Sequence, residues 1–252
     1  MKLLHKSWKL ALAITMAVVL STGVGAESAN AQEKDVAVDL GGGVKMEFIW
    51  VAALNSWVGK YEVTNGEYRR YKANHNSGEY KGRSLNGDRQ PAVELFYEDV
   101  QVFVEWLNKS GKLPAGTKGR VPTGQEWLAF ARCGDGRDYP WGNEWPPKYG
   151  NYADQKEKQA FGSWGVIGGY DDGEAVSCDV EKSGKNDWGL YGVGGNVWEY
   201  TADIFDTMYI SRVLYGGSWD CGSRDAIRVS NRLNLFAQDR SNEAGFRLIL
   251  PR

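Results

Sequence analysis

Histidine and cysteine are scarce in this chain, which has two histidines and three cysteines among its 252 residues. A zinc or iron site built from several histidines is therefore excluded within the chain. Because His5 lies in an N-terminal targeting segment, any Ser-His-Asp or Cys-His catalytic arrangement would depend on His75. That residue stands in the polar stretch 74–77 beside no suitable nucleophile. We expect His75 to be a solvated histidine in a loop or at a helix end.

An excess of charge of either sign is also missing. The chain has 30 Lys and Arg against 32 Asp and Glu, a formal net charge of −2. This balance does not indicate nucleic acid or an acidic membrane surface as a partner. The cysteines Cys133, Cys178 and Cys221 have no CxxC spacing, which argues against a metal ribbon or a thioredoxin-type redox motif.

The N-terminus has the pattern of a targeting segment. Basic residues precede an apolar run at 10–19 that is short for a membrane span, and small residues follow. Residues 29–31 (Ala-Asn-Ala) fit the small-x-small cleavage rule, with 24–26 as a second candidate. We predict that 1–31 is a cleaved signal peptide and that 32–252 is a single domain, secreted or on the cell surface. In an exported protein, one disulfide and one free thiol are expected.

The residues that are abundant, 32 Gly, 11 Trp and 13 Tyr, indicate short elements, tight turns and an aromatic core. Clusters of aromatic and β-branched residues predict strands at 45–51, 57–63, 212–215 and 246–250. Capping boxes predict helices that begin after Thr64 and Thr123, the second ending at Gly134. Apolar spacing predicts a further helix over 98–109. Between 134 and 195 no long periodic segment exists, so the sequence predicts one α+β domain with little regular secondary structure.

Six ordered motifs and a closing Gly-Phe-Arg resemble the signature series of the formylglycine-generating enzyme (sulfatase-modifying factor) family. They are Tyr61–Asn65, Arg120–Trp127, Tyr139–Gly142, Trp188–Tyr191, Gly195–Glu199, Gly216–Trp219 and Gly245–Arg247. The resemblance covers nearly all of the predicted mature chain. It implies a C-type-lectin-like α+β fold, and it favours a Cys133–Cys178 disulfide with Cys221 as the free thiol.

The resemblance does not extend to the family's chemistry. The oxidative enzyme of the family uses two cysteines after its Gly-Gly-Ser motif to bind copper and the substrate cysteine. Cys221 matches the first, but the second would fall near Ala226, which has no thiol. The related iron-dependent sulfoxide synthases need a histidine cluster, which is absent from the sequence. We therefore predict no enzymatic activity, with a formylglycine-generating-type oxidase or another modifying enzyme as the alternative.

The family's calcium positions are matched only in part, and no cofactor is predicted. Glu199 with the carbonyls of Gly195 and Val197 matches one site, but Gly192 stands where a side-chain amide is expected. A second set of oxygen ligands is offered by Asn151 with Asp171 or Asp172. Capping or hydrogen-bonding roles for these carboxylates are at least as well supported, so calcium remains an alternative.

A narrower resemblance concerns the C-terminal segment. The stretches 48–55, 57–69, 133–137 and 181–188 look like the target proteins of diversity-generating retroelements, especially the spirochaete-type variable protein. In that group a reverse-transcribed template diversifies a C-terminal segment at adenines, mainly in Asn codons. A fixed frame supports the fold and the varied side chains bind a ligand. The resemblance makes 212–247 the candidate variable region.

Within that region two sets of residues can be distinguished. Glycines, arginines and a few other residues with expected structural roles form one set, here called the frame. The residues between them, here called the filling, share no chemical class. The frame comprises Gly216, Gly217, Ser218, Arg228, Asn231, Arg232 and Gly245–Arg247. We expect the glycines to permit tight turns and the arginines to hold loop carbonyls or carboxylates. Mutation of the adenines of an Asn codon can reach most of the filling, namely Asp220, Cys221, Gly222, Ser223, Asp225, Ala226, Leu233, Asn234, Leu235, Phe236, Asp239 and Ser241. Gln238 and Glu243 cannot be reached and are expected to be template-fixed or to derive from another codon.

The predicted ligand contacts are Trp219, Asp220, Cys221, Ser223, Asp225, Leu233, Asn234, Leu235, Phe236, Asp239 and Ser241. Trp219 could equally lie at the base of the binding site or pack in the core. For Leu233, Leu235 and Phe236, partly exposed contacts are favoured over core positions. The sequence thus predicts an exported binding protein for a protein or glycan ligand, without a membrane span. An exported partner-binding domain without diversification is a third reading, and ligand identity and oligomeric state stay open.

Overall fold

The computed structural model describes residues 33–206, 208 and 210–252. The predicted signal peptide, 1–31, lies outside these residues. Within them the chain forms four short helices: Asn65–Tyr68 (α1), Tyr97–Lys109 (α2), Gly124–Ala131 (α3) and Gln155–Phe161 (α4), with a 3₁₀ turn at Ala52–Leu54. The strands are Val36–Gly41 (β1), Val44–Val51 (β2), Ser56–Gly59 (β3), Glu79–Tyr80 (β4), Arg83–Ser84 (β5), Trp198–Asp206 (β6), Ser211–Tyr215 (β7), Arg232–Phe236 (β8), Ala244–Gly245 (β9) and Ile249–Pro251 (β10).

The strands make two four-stranded sheets and one hairpin, β4–β5. The first sheet has the order β1-β2-β3-β10 and is antiparallel, with Leu250 opposite Trp57. The second has the order β8-β7-β6-β9, in which β6 is antiparallel to β7 and parallel to β9. Strand β8 pairs antiparallel with β7, with Leu233 opposite Leu214. The candidate variable region therefore supplies three of the four strands of the second sheet and places β8 at its edge.

The helices predicted from capping boxes and apolar spacing are confirmed. Thr64 Oγ1 accepts a hydrogen bond from the Glu67 amide, and the Glu67 carboxylate accepts one from the Thr64 amide, as a capping box requires. The same reciprocal pair joins Thr123 and Glu126 at the start of α3. The apolar face of α2 is buried, since Val100, Phe103, Val104 and Leu107 are all in the core.

Two predicted strands are shorter than expected, and several elements were missed. The strand predicted over 57–63 ends at Gly59, and the strand predicted over 246–250 is paired only from Ile249 onwards. Beyond these points the two segments are joined by isolated backbone hydrogen bonds and not by a continuous ladder. These bonds run from Gly59 N to Leu248 O and from Val63 N to Phe246 O, both at 2.8 Å. Predicted helix α3 ends at Ala131 and not at Gly134. The missed elements are β1, β4, β5, β6, β8, β9 and α4.

The main core is aromatic and lies among both sheets, α1 and α2. The Tyr68 ring stacks on Phe103 with centroids 5.2 Å apart, and Phe103 meets Phe246 edge-on at 5.6 Å. All three side chains are fully buried. Each such burial stabilises the fold by roughly 1.5–3 kcal/mol, so Phe246 anchors the end of the candidate variable region to the fixed part of the chain.

A buried ion pair joins the two sheets. Arg247, between β9 and β10, is fully buried and its Nη2 lies 2.6 Å from Glu199 Oε1 on β6. The same guanidinium donates to the carbonyls of Gly59 (2.9 Å) and Tyr191 (2.6 Å), and the Trp127 indole donates to Glu199 Oε2 at 2.8 Å. A charged group is tolerated without water because its partners satisfy it.

His75 is not the solvated residue that the sequence predicts. It is only 8% exposed, its ring meets the Tyr68 ring, and its Nε2 lies 3.1 Å from Ser77 Oγ. Burial lowers the pKa of His75 to about 4, so the ring is neutral at physiological pH. The prediction failed because Ser77 is buried with the ring and donates in turn to Asn65 Oδ1 at 2.6 Å, whereas Asn74 and Asn76 stay exposed.

The expected α+β fold with little regular secondary structure is confirmed, and Glu33–Arg252 forms one compact unit. Among the described residues, no helix combines the length and the apolar composition that crossing a membrane requires.

Candidate functional site

The candidate site begins where β7 ends. Gly216 and Gly217 follow Tyr215 with φ of 109° and 77°, a region that side chains other than glycine rarely adopt. A Cβ on Gly216 would lie 3.2 Å from the Trp127 ring. The two glycines therefore turn the chain tightly against the core, as predicted, and carry it to the segment that follows.

Exposure separates most of the frame from most of the filling in this segment. The frame residues Gly216, Gly217, Ser218 and Gly245–Arg247 are buried, as are the intervening Ile227 and Val229. Seven of the predicted ligand contacts are exposed, namely Asp220, Ser223, Asp225, Leu233, Asn234, Phe236 and Asp239, and so are Arg224, Ser230, Arg232, Gln238 and Arg240. The structure therefore brings seven of the eleven predicted contacts to the surface.

Four predicted contacts are less accessible. Trp219 is 1% exposed and packs in a core cluster, with its ring 5.0 Å from Tyr80, so it is core and not an open contact. Its neighbours in that cluster are the apolar side chains Leu85, Val93, Val176 and Val197. Cys221, Leu235 and Ser241 are half-buried. Leu235 packs against the main core, while Leu233 and Phe236 are 39% and 40% exposed.

The frame arginines have different roles. Arg247 is structural, as expected, and Arg228 pairs with Asp138 at 2.6 Å and with Asp225 at 3.2 Å. Arg232 is exposed and lies over the Phe205 ring at 5.8 Å, so it does not hold the frame as predicted. The difference arises because Arg232 begins an edge strand, where its side chain turns away from the core. Asn231 donates to the Ala226 carbonyl at 2.9 Å and fixes the turn before β8.

Glu243, which adenine mutagenesis cannot create from an Asn codon, belongs structurally to the frame. Its carboxylate accepts a hydrogen bond from Ser218 Oγ at 2.7 Å, and its carbonyl accepts one from the Trp198 amide at 2.7 Å. The first bond connects Ser218, near the start of the candidate variable region, to Glu243, near its end. The second connects Glu243 to Trp198 on β6. Gln238, the other unreachable residue, is exposed.

The cysteines do not form the expected disulfide. Cys133, Cys178 and Cys221 are all free. Cys133 ends the turn after α3, with its thiol 3.7 Å from the Phe130 carbonyl, whereas Cys178 is buried beside Asn196, whose side-chain oxygen accepts its amide. The Cys133–Cys178 pairing is therefore wrong, because the two thiols have different surroundings.

The surroundings of Cys221 do not favour a thiolate. Burial raises the pKa of its thiol, and Ser218 Oγ lies 3.6 Å from the sulfur. Cys221 and Ala226, the position expected for the second thiol, both pack against the aromatic cluster that includes Ile227. Within the described part of the chain, no group of three or more His, Cys, Asp and Glu side chains is arranged to hold a metal.

The first candidate calcium set does not fit the ion. Both carboxylate oxygens of Glu199 are engaged by the Arg247 guanidinium, and one also accepts the Trp127 indole N–H. A cation beside Arg247 would meet its positive charge. Gly192 cannot carry the amide either, because a Cβ there would lie 2.3 Å from the Glu62 carboxylate.

The second set fits calcium better. Asn151 Oδ1 is buried without a hydrogen-bond partner among the described residues. Burial raises the pKa of Asp172 to about 7, and its Oδ2 accepts the Tyr152 amide at 2.9 Å. Asp171 Oδ1 accepts the Gly173 amide at 3.0 Å. Asn151 and Asp172 would hold such an ion, and calcium stays an alternative to the prediction of no cofactor.

A segment that sequence reasoning did not assign to the site lies directly against it. The Ala153 amide donates to the Cys221 carbonyl at 3.2 Å, and a Cβ on Gly222 would come within 1.6 Å of the Gly165 carbonyl oxygen. Next to Gly165, the Trp164 side chain is 95% exposed. Exposed tryptophan is typical of binding surfaces, but no pattern in the sequence links Trp164 to the C-terminal segment.

The β6–β7 turn adds a second apolar area beside β8. Ile204, Phe205, Met208 and Ile210 are each at least half exposed. A cavity of about 680 Å³ opens where β8 ends, and its lining includes Tyr97, Arg212 and Gln238. The apolar area could be anticipated from the run of large residues at 204–210, whereas the cavity depends on how α2 packs beside β7.

One contact of the site depends on pH. Glu157 on α4 is buried, its Oε1 accepts from Ser163 Oγ at 2.5 Å, and its Oε2 has no hydrogen-bond partner in the described residues. Burial and the adjacent Asp220 carboxylate raise the pKa of Glu157 to about 7. Because this folded-state pKa is above the unfolded value, the stability it contributes is present at low pH and is lost as the pH rises through 7.

We therefore expect the contact between α4 and residues 220–222 to loosen with rising pH. Amide hydrogen exchange of 220–222, corrected for intrinsic rates, should be faster at about pH 8 than at about pH 6. Glu157→Gln is the matched control and should remove the difference. An equal pH dependence in both proteins would contradict the assignment to Glu157.

Comparison with known proteins agrees with the family resemblance of the sequence motifs. The family model described as "Sulfatase-modifying factor enzyme 1-like domain" matches residues 24–251. Inactive C-alpha-formylglycine-generating enzyme 2 of Bos taurus is 32% identical over 167 residues, 62% of this chain and 49% of that protein. Formylglycine-generating enzyme of Thermomonospora curvata is 33% identical over 143 residues, 56% of this chain and 39% of that protein. The chain thus spans about half the length of these curated relatives, or less.

Solved structures share the fold. Treponema denticola variable protein 1 aligns with a TM-score of 0.65 at 20% identity, covering 86% of this chain and 99% of that one. PvdO of Pseudomonas aeruginosa aligns with a TM-score of 0.60 at 22% identity, covering 86% of this chain and 91% of that one. These likenesses confirm the expected fold.

Proposed function

The chain belongs to the sulfatase-modifying factor enzyme 1-like domain family, and on that premise we propose that it is a non-enzymatic ligand-binding protein. Its binding surface is formed by the exposed side chains between the buried Trp219 and the frame residue Glu243, where varied side chains are displayed on a fixed scaffold. The ligand is a protein or a glycan. We further propose that residues 1–31 direct export, which places this surface outside the cell.

The observation that carries this proposal is the exposure pattern of the segment. Residues that hold the fold, such as Trp219, Ile227 and Phe246, are buried, while residues such as Asp225, Leu233 and Phe236 face solvent. A set of exposed apolar and polar side chains on a rigid support is typical of a selected binding surface. Variation at such positions changes recognition and leaves the core intact.

The chemistry of the site supports a non-enzymatic role. The thiol of Cys221 is the only one in the segment, and burial raises its pKa. Ala226 removes the second sulfur that a two-thiolate copper site needs. Similar proteins include ones named inactive formylglycine-generating enzymes and one named a variable protein. Copper-dependent oxidation of a cysteine-containing peptide by the purified protein would instead favour the oxidase alternative.

Diversification by a retroelement makes a direct prediction about the neighbouring DNA. We expect a near-copy of the codons for 212–247 close to the gene, with adenines at the positions that differ and a reverse transcriptase gene beside it. Frame codons should be identical in both copies, and those of Asp220, Leu233 and Phe236 should differ. Sequencing the locus tests this. A locus with no such copy would remove diversification and leave the fold and the binding surface standing.

A further inference from the structure

The edge strand β8 carries an inference that rests on the proposed function and specifies its partner. β8 ends the order β8-β7-β6-β9, and no other described strand pairs with its outer side. Four of its five residues are exposed. Folded proteins usually cover or shorten such edges, because unpaired backbone groups attract further strands. Here the open edge lies in the middle of the candidate binding surface.

The register identifies the backbone groups that face outward. Antiparallel pairs alternate between hydrogen-bonded and non-hydrogen-bonded positions. The Ala237 amide donates to the Ile210 carbonyl at 3.0 Å, which makes that pair a hydrogen-bonded one. Counting back along the unbroken register, Leu235 and Leu233 bond to β7. The amide and carbonyl groups of Arg232 and Asn234 therefore point away from β7, on the outer side of the strand.

The side chains of β8 offer contacts on both faces of the sheet. Leu233 projects to one face and Arg232 and Asn234 to the other, by the alternation of strand side chains. Leu233 is 39% exposed and Arg232 is exposed with its positive charge. A strand added at this edge would meet an apolar side chain on one face and a guanidinium on the other.

We propose that the ligand is a polypeptide that binds in extended conformation as an additional strand along β8. Only a polypeptide presents N–H and C=O groups at the spacing of Arg232 and Asn234, which glycan hydroxyls do not repeat. In this mode the main chain supplies affinity and the side chains supply specificity. A varied side chain at 233 or 234 then changes which peptide binds and leaves the hydrogen-bond ladder unchanged.

The cavity beside the end of β8 specifies one side chain of the partner. The Arg212 guanidinium lies 4.0 Å from the centroid of the Tyr97 ring, and its Nε is buried without a hydrogen-bond partner among the described residues. A buried donor without an acceptor favours a ligand that provides one. A carboxylate at the end of the added segment would accept a hydrogen bond from the Arg212 guanidinium. The exposed carboxylate of Glu98, at the rim of the cavity, would repel that ligand carboxylate from the outer part of the cavity. The partner is thus an extended segment that carries an acidic side chain.

The test uses the protein from residue 32 to 252 against two probes: a displayed library of random linear dodecapeptides and a glycan array. The matched variants are Asn234→Pro, which removes one outward N–H at an edge position where proline is tolerated, and Asn234→Ala, which keeps it. We expect acidic linear peptides to be selected. Their affinity should fall about tenfold or more in Asn234→Pro and much less in Asn234→Ala. Bound peptide should also slow exchange of the Asn234 amide.

Other outcomes separate the inference from the proposed function. Peptides that bind both variants equally, or glycans bound in place of peptides, would overturn the strand-addition mode. If that binding is abolished when Ser223, Asp225 and Leu233 are all changed to Ala, the binding surface stands. Self-association by light scattering that Asn234→Pro abolishes would assign the edge to a second copy and overturn the polypeptide-ligand inference. No binding to either probe would contradict both the inference and the proposed function.

Discussion

Arg247→Ala should lower the free energy of unfolding by about 3–5 kcal/mol, because it leaves a buried carboxylate without its partner. Arg247 is fully buried, and its Nη2 lies 2.6 Å from Glu199 Oε1 and 4.0 Å from Glu62 Oε2. For a domain of this size the melting temperature should fall by about 10 °C or more. Urea unfolding and calorimetry measure both quantities.

The loss should depend on pH. Burial already raises the pKa of Glu62 to about 7 with Arg247 present, and removal of the guanidinium raises it further. A raised folded-state pKa contributes stability at low pH that is lost as the pH rises through it. Arg247→Ala should therefore be more destabilising at about pH 8 than at about pH 6.

Lys109→Ala is the control for this substitution. Lys109 pairs with Glu105 at 2.5 Å on the exposed surface of α2, so its removal should leave the free energy of unfolding nearly unchanged. Similar losses from Lys109→Ala and Arg247→Ala, or a loss for Arg247→Ala that does not change with pH, would show that the buried ion pair does not hold the sheets together.

Trp219→Ala should cost about 3–5 kcal/mol, the range for a large aromatic side chain removed from a core. Trp219 is 1% exposed and contacts Tyr80 within an apolar cluster. Phe236→Ala, in the same segment, removes an aromatic ring that is 40% exposed, and should cost under about 1 kcal/mol. Both truncations remove an aromatic ring, one at a frame position and the other at a filling position. Chemical unfolding of the two variants measures the difference in the free energy of unfolding.

Trp219→Phe separates packing from hydrogen bonding. The Trp219 indole N–H is buried without a partner in the described part of the chain. Its removal recovers the cost of an unsatisfied donor, so Trp219→Phe should be much less destabilising than Trp219→Ala. If Phe236→Ala instead destabilised the protein as strongly as Trp219→Ala, the division of the segment into frame and filling would be wrong.

The parts of the fold that sequence predicts are those with local physical signals. Capping boxes at Thr64 and Thr123 and the apolar face of α2 depend on residues three or four apart, and they were confirmed. Strand β8 has no alternation of buried and exposed residues, because four of its five side chains are exposed. Helix α4 buries only Glu157, so apolar periodicity cannot reveal it, although Asp154 caps it. Both were missed for that reason.

The site was predictable where the signal was a backbone requirement and less so where it depended on packing. Gly216 and Gly217 could be assigned to tight turns from residue type alone. The burial of Trp219, and the proximity of Trp164 through Gly165 and Gly222, depend on segments distant in sequence. The Cys133–Cys178 pairing was wrong for the same reason.

The central claim is that the frame holds the fold and the filling is free to vary. Its most direct test compares two displayed libraries by the fraction of members that resist proteolysis. One randomises the exposed filling positions Asp220, Ser223, Asp225, Leu233, Asn234, Phe236 and Asp239, and the other an equal number of buried positions, Gly216, Gly217, Trp219, Ile227, Val229, Phe246 and Arg247. We predict that most members of the first library stay folded and that very few of the second do. Equal loss of folded protein in both libraries would contradict the claim.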